Sequence, residues 1–145
     1  MVEKLKDRAL RMPLTYIILG ALVAIVSART YVLLGGDLNL SYGGVTFHHF
    51  FTGAIIVAAI GVIVFELDGK YMRDRFTKSL LAFIFGTGLG MIIDESTLLL
   101  VGGQSYTLAQ YYSPLNLSIE FGALGLLFAL FLLRLFISSF ANKRR

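Results

Sequence analysis

The chain has no cysteine. That excludes disulfides and thiolate metal sites, although it does not assign a compartment. It carries no Walker loop, no Rossmann glycine fingerprint, no nucleophile elbow and no HExxH. It has no internal repeat. Its net charge of +4 comes without a basic patch interleaved with aromatics, so nucleic acid is not an expected partner. Charged residues are sparse throughout, at 15% of the sequence, and the apolar share of 57% exceeds the 45–50% typical of a soluble domain.

The apolar excess is gathered into four blocks, at about 13–34, 45–67, 79–101 and 114–141. Each is near or above the ~20 residues that cross a bilayer core. The expected fold is therefore an all-α membrane protein: a single four-helix transmembrane domain over residues 1–145, multi-pass in the cell membrane. The first block is too long for the h-region of a signal peptide and is read as a retained span. Residues 1–12 read as a short amphipathic anchor, with Val2, Leu5, Ala9 and Met12 on one face.

Twelve of the thirteen Lys and Arg residues fall before the first block, between the second and third, or at the end of the fourth. By the positive-inside rule both termini are cytoplasmic. Attraction to anionic lipid of the inner leaflet follows. At that inner boundary Glu66 and Asp68 approach the level of Arg134, and an ion pair is expected there. Outside, Tyr106, Tyr111 and Tyr112 read as an interfacial belt. Ser113-Pro114 reads as an N-cap followed by proline at the first helical position.

Against this apolar background the titratable residues stand out. A lone carboxylate in hydrocarbon costs roughly 2.5–3.5 kcal/mol on insertion scales. At a 1.5 Å rise per residue, Arg29 lies roughly 7 Å below the outer end of its span, His48 and His49 roughly 5–6 Å, and Asp94, Glu95 and Glu120 roughly 9–10 Å. All four spans thus contribute to one layer near the outer face. Gly86, Gly90 and Asp94 share a helical face, which turns Asp94 towards a closely packed neighbour. Neighbouring residues on a helix point about 100° apart. The inward set is accordingly read as His49, Asp94 and Glu120, with His48, Glu95 and Arg29 alongside.

Imidazole and carboxylate together suit zinc, iron or manganese. His49, Asp94 and Glu120 are the candidate ligands of a divalent metal. Glu95 or His48 is the candidate acid–base group for hydrolytic or redox chemistry on a lipid or small apolar substrate. Two other readings use the same residues. One is a small transporter or proton-relay component, against which stands the lack of a polar trail to the inner face apart from Glu66 and Arg134. The other is a structural or partner-binding bundle. If both histidines are charged, three positive groups meet three negative ones and the layer neutralises itself. Gly61, Gly122 and Gly125 offer small faces for homo-oligomer formation.

HHFFTG at the start of the second span, GTGLGMIIDE in the third, then YY and LSIE, form a pattern that resembles a group of small four-span prokaryotic membrane proteins. These read HHxxxG, GxGxxxDE, Tyr-Trp and Ser-Ile-Asp. His48, His49, Gly53, Asp94 and Glu95 match directly, and Gly86 and Gly88 lie in the glycine-rich stretch before Asp94. Tyr111-Tyr112 stands at Tyr-Trp, and Ser118-Ile119-Glu120 at Ser-Ile-Asp. Two departures are the missing tryptophan and a loop shortened to SPLNL. The resemblance spans roughly residues 45–123. It implies the four-span fold and these site residues; the group carries no assigned activity, so no reaction is implied.

Overall fold

Close backbone approach is what builds this structure, and α3 is the helix on which it converges. The computed structural model describes residues 12–36, 40–42, 45–66, 74–101 and 108–141. Its helices are α1 (Pro13–Leu33), α2 (His49–Glu66), α3 (Arg75–Val101), a short α4 (Leu108–Tyr111) and α5 (Pro114–Ala141). Four helices are long and apolar enough to cross a membrane. A small antiparallel hairpin, β1 (Leu40–Tyr42) with β2 (Val45–Phe47), lies between α1 and α2 and pairs Ser41 with Thr46.

The element boundaries differ from the sequence reading in two places. The second helix starts at His49 rather than Val45, because Val45–Phe47 is spent on the hairpin. The third starts earlier than the apolar run, at Arg75, because Asp74 caps it. Asp74 Oδ2 accepts the Thr77 N–H and the Thr77 hydroxyl, both at 2.7 Å. Those hydrogen bonds hold the exposed Asp74 carboxyl below its ordinary range. The cap expected before α5 is present: Asn116 N–H donates to Ser113 Oγ at 3.3 Å, with Pro114 opening the helix.

Two faces of α3 meet two different helices. Gly86 and Gly90 face α1: a Cβ on Gly86 would lie 2.1 Å from Ile17 O, and one on Gly90 2.5 Å from Ala21 O. Gly20 of α1 answers them, since its Cβ would lie 2.2 Å from Phe83 O. Ala21, Ala24 and Ala28 continue that seam, all buried. Gly88 faces α2, where a Cβ on Gly53 would lie 2.5 Å from Gly88 O. The obstructing atoms are backbone, so neither helix can yield by turning a rotamer.

A Gly90→Leu change should therefore overpack the α1–α3 seam and cost about 1–3 kcal/mol. Gly122→Leu provides the control, because a Cβ there meets nothing within 4 Å. Thermal melts in detergent should separate the two. Equal melting temperatures would place the Gly90 face against solvent or lipid.

Helix α5 is attached differently. Asn116 and Glu120, near its start, are buried, and no described residue after Glu120 is. Glu66 and Arg134 are both exposed, and among the described residues no ion pair joins them. The expected inner ion pair is thus not formed by Glu66, whose side chain, like that of Arg134, is exposed. Asp68, Tyr106 and the amphipathic segment before Met12 lie outside the described residues.

Candidate functional site

The long helices are tied together by one buried polar cluster at the end of the bundle that carries the β1–β2 hairpin. At its centre is Arg29, on the α1 face that carries Ala21, Ala24, Ile25 and Ala28. Its guanidinium reaches three other elements. Nε donates to Asp94 Oδ1 of α3 at 2.7 Å, Nη2 to Glu120 Oε2 of α5 at 2.5 Å, and Nη1 to Tyr111 O of α4 at 2.6 Å. The guanidinium carbon lies 4.1 Å from the centre of the Tyr111 ring and 5.1 Å from that of Tyr112. The planar fork of arginine satisfies two carboxylates and a carbonyl at once, which a lysine point charge would not do.

Asp94 is fully buried and fully engaged. Its Oδ1 takes Arg29; its Oδ2 takes the Tyr111 hydroxyl and meets His49 Nε2 at 3.0 Å. Glu95, 1% exposed, turns the other way, towards α2. His48 Nδ1 lies 2.7 Å from its Oε1, and the Phe50 N–H donates to Oε2 at 2.7 Å. Glu95 thereby serves from across the interface a backbone donor in the first turn of α2, where helices leave such donors without internal partners. His49 Nδ1 is 3.1 Å from Glu95 Oε2, but without hydrogen-bond alignment.

The inward set is thus larger than His49, Asp94 and Glu120. His48 and Glu95 are not flanking groups: both are buried, 6% and 1% exposed. The 100° rule does not separate the two histidines, because His48 precedes the helix and only His49 belongs to it. On α3 the two adjacent carboxylates do diverge. Asp94 continues the Gly86–Gly90 face to α1, whereas Glu95 continues the Gly88–Ile92 face to α2.

Sequence reasoning placed Tyr111 and Tyr112 in an interfacial belt, and the structure corrects this. Tyr111 is buried, with its hydroxyl on Asp94 and its carbonyl on Arg29. The Tyr112 hydroxyl donates to Arg29 O at 2.8 Å. Asn116 went unremarked in the sequence. It is completely buried, donates from Nδ2 to Tyr111 O at 2.8 Å, and leaves Oδ1 without a partner. The available signal was its spacing: Asn116 is four residues before Glu120, on the same helical face.

The proposed metal ligands are not brought to one point. His49 and Asp94 meet, but the Arg29 guanidinium lies between Asp94 and Glu120. Among the described residues no group of three or more His, Asp or Glu side chains is arranged to hold a metal ion. The arrangement does form a continuous series of contacts from His48 through Glu95, His49 and Asp94 to the Tyr111 hydroxyl. Each member can give or accept a proton, whereas Arg29 holds its charge and closes the series. Among the described residues no buried polar side chain continues it towards the other end of the bundle. In comparisons with known proteins, no family model, no curated protein and no solved structure matches the chain.

Proposed function

We propose that this chain is a multi-pass membrane protein with both termini cytoplasmic. On this reading, its buried cluster is a charge network near the outer face that locks the spans together and handles protons at its two histidine–carboxylate pairs. The observation that carries the reading is the position of Arg29. One guanidinium satisfies carboxylates from two helices and a carbonyl from a third element. Such a cation occupies the place between Asp94 and Glu120 that a shared metal would need. The four long apolar helices and the one-sided basic residues support the membrane placement. Among the described residues the two pairs lie in one layer, so the role is proton binding rather than conduction across the bilayer.

Elemental analysis of purified protein tests the reading, with Asp94→Asn and His49→Ala beside wild type. Metal at background in all three is expected, with both variants melting lower than wild type. Stoichiometric metal in wild type that falls to background in Asp94→Asn would instead establish the metal site read from the sequence.

The membrane topology has its own test. Cysteines introduced singly at Ser41 and Gln104, in a chain with no native thiol, should react with an impermeant reagent from outside. Labelling only from the cytoplasmic side would reverse the orientation.

A further inference from the structure

At the end of the bundle away from the charge cluster, a cleft of about 570 Å³ opens between the start of α1 and the start of α3. Its lining changes character with depth. Asp74, Arg75 and the exposed Phe76 stand at one end, at the very start of α3. Tyr16 and Ser79 contribute hydroxyls one turn further in, at roughly 4–6 Å by the helical rise. Leu80 and Phe83 follow at roughly 8 and 12 Å. Apart from Phe76, polar groups gather at one end of the cleft and apolar side chains at the other.

That arrangement matches the parts of a phospholipid: a charged headgroup, the ester-linked glycerol, and an acyl chain. We propose that this cleft binds one phospholipid of the inner leaflet whose headgroup carries both a phosphate and a primary ammonium. Arg75 takes the phosphate, as guanidinium does well. Asp74 takes the ammonium; it remains ionised while Thr77 donates to it. The Tyr16 and Ser79 hydroxyls serve the ester oxygens. A purely anionic headgroup would place its charge beside the Asp74 carboxylate with no compensating cation of its own. The inference rests on the membrane placement proposed above, but is independent of the charge cluster at the other end.

The test uses the full chain, delipidated in detergent, titrated with phosphatidylethanolamine or phosphatidylglycerol and read by native mass spectrometry. One phosphatidylethanolamine per chain is expected, preferred over phosphatidylglycerol by about tenfold. Asp74→Asn, which keeps a capping side chain, should erase the preference. Ser79→Leu, which fills the cleft, and Arg75→Gln, at an exposed position, should each lower binding by about tenfold while the melting temperature holds. Soluble phosphoethanolamine should not displace the lipid. Displacement would assign the site to a free phosphate ester and overturn the lipid assignment. Equal retention of both lipids, or binding unaffected by Ser79→Leu and Arg75→Gln, would overturn it as well. Release of the protein from membranes by alkaline washing would overturn the membrane placement and this inference together. Retention in the membrane without bound phosphatidylethanolamine would overturn this inference alone.

Discussion

Arg29→Met is expected to destabilise the detergent-solubilised bundle by about 3–5 kcal/mol, because it leaves two buried carboxylates without their cation. Asp94 and Glu120 are 0% and 5% exposed, and the guanidinium is the bridge between them. Tyr111 O would also lose one of its two donors, keeping only Asn116. The consequence should not be uniform. Helix α5 has no buried described residue beyond Glu120, so the cluster is its principal attachment. Hydrogen exchange should therefore accelerate first at the start of α5, before the Gly-packed α1–α3 seam opens. Arg29→Lys should recover only part of the loss, since an ammonium cannot reproduce the fork that spans Asp94, Tyr111 and Glu120. A wild-type melting temperature in Arg29→Met would remove the cluster's structural role.

Glu95→Leu should cost about 3 kcal/mol, the scale of a buried charged hydrogen-bond network losing its acceptor. Two groups lose the Glu95 carboxylate together: the His48 ring and the Phe50 N–H. The Phe50 amide has no alternative within the first turn of α2. Its hydrogen exchange should rise specifically, while amides in the middle of α1 stay protected. Uniform loss of protection across the bundle would mean that Glu95 acts on global packing rather than on the start of α2. Glu95→Gln offers a milder comparison, because its amide oxygen can still accept the Phe50 N–H.

The four long apolar helices were legible because lipid-length apolar runs are a signal of composition. The Gly86–Gly90–Asp94 face was legible because its spacing is that of a helix. The second face, Gly88–Ile92–Glu95, has the same period and was available in the same stretch. Reading one inward face per helix hid it; a central helix packed on two sides has two. The pairing of His48 with Glu95 was harder to see, because it depends on α2 beginning at His49 rather than at Val45. That boundary is set by the hairpin, where a local strand pairing overrides an apolar run. Tyr111 was misread because its position near a span end fits two roles. Only the approach of α4 to Arg29 decides between belt and cluster. Nor could the absence of a Glu66–Arg134 ion pair be read from the sequence. Charge complementarity with Glu66 says nothing about whether the two helices come close.

Among the resembling motifs, HH, DE, YY and the Glu of SIE converge on one cluster, and Arg29, outside the matched stretch, joins them. The glycines of the same motifs are the ones that bring the helix backbones together. Close packing and charge are therefore parts of one arrangement: backbone contact excludes water, and the cluster must satisfy itself within the space left.

A double-mutant cycle between Arg29 and Asp94 tests this arrangement most directly. Melting or denaturant titration would be run on wild type, Arg29→Met, Asp94→Asn and the double variant under one detergent condition. If the guanidinium and the carboxylate stabilise the bundle through each other, removing both should cost less than the two single losses added together, by roughly 1–3 kcal/mol. The double variant should then melt above the value that additivity gives. Losses that simply add would show that Arg29 and Asp94 act independently, and would contradict a self-neutralising network in the buried cluster.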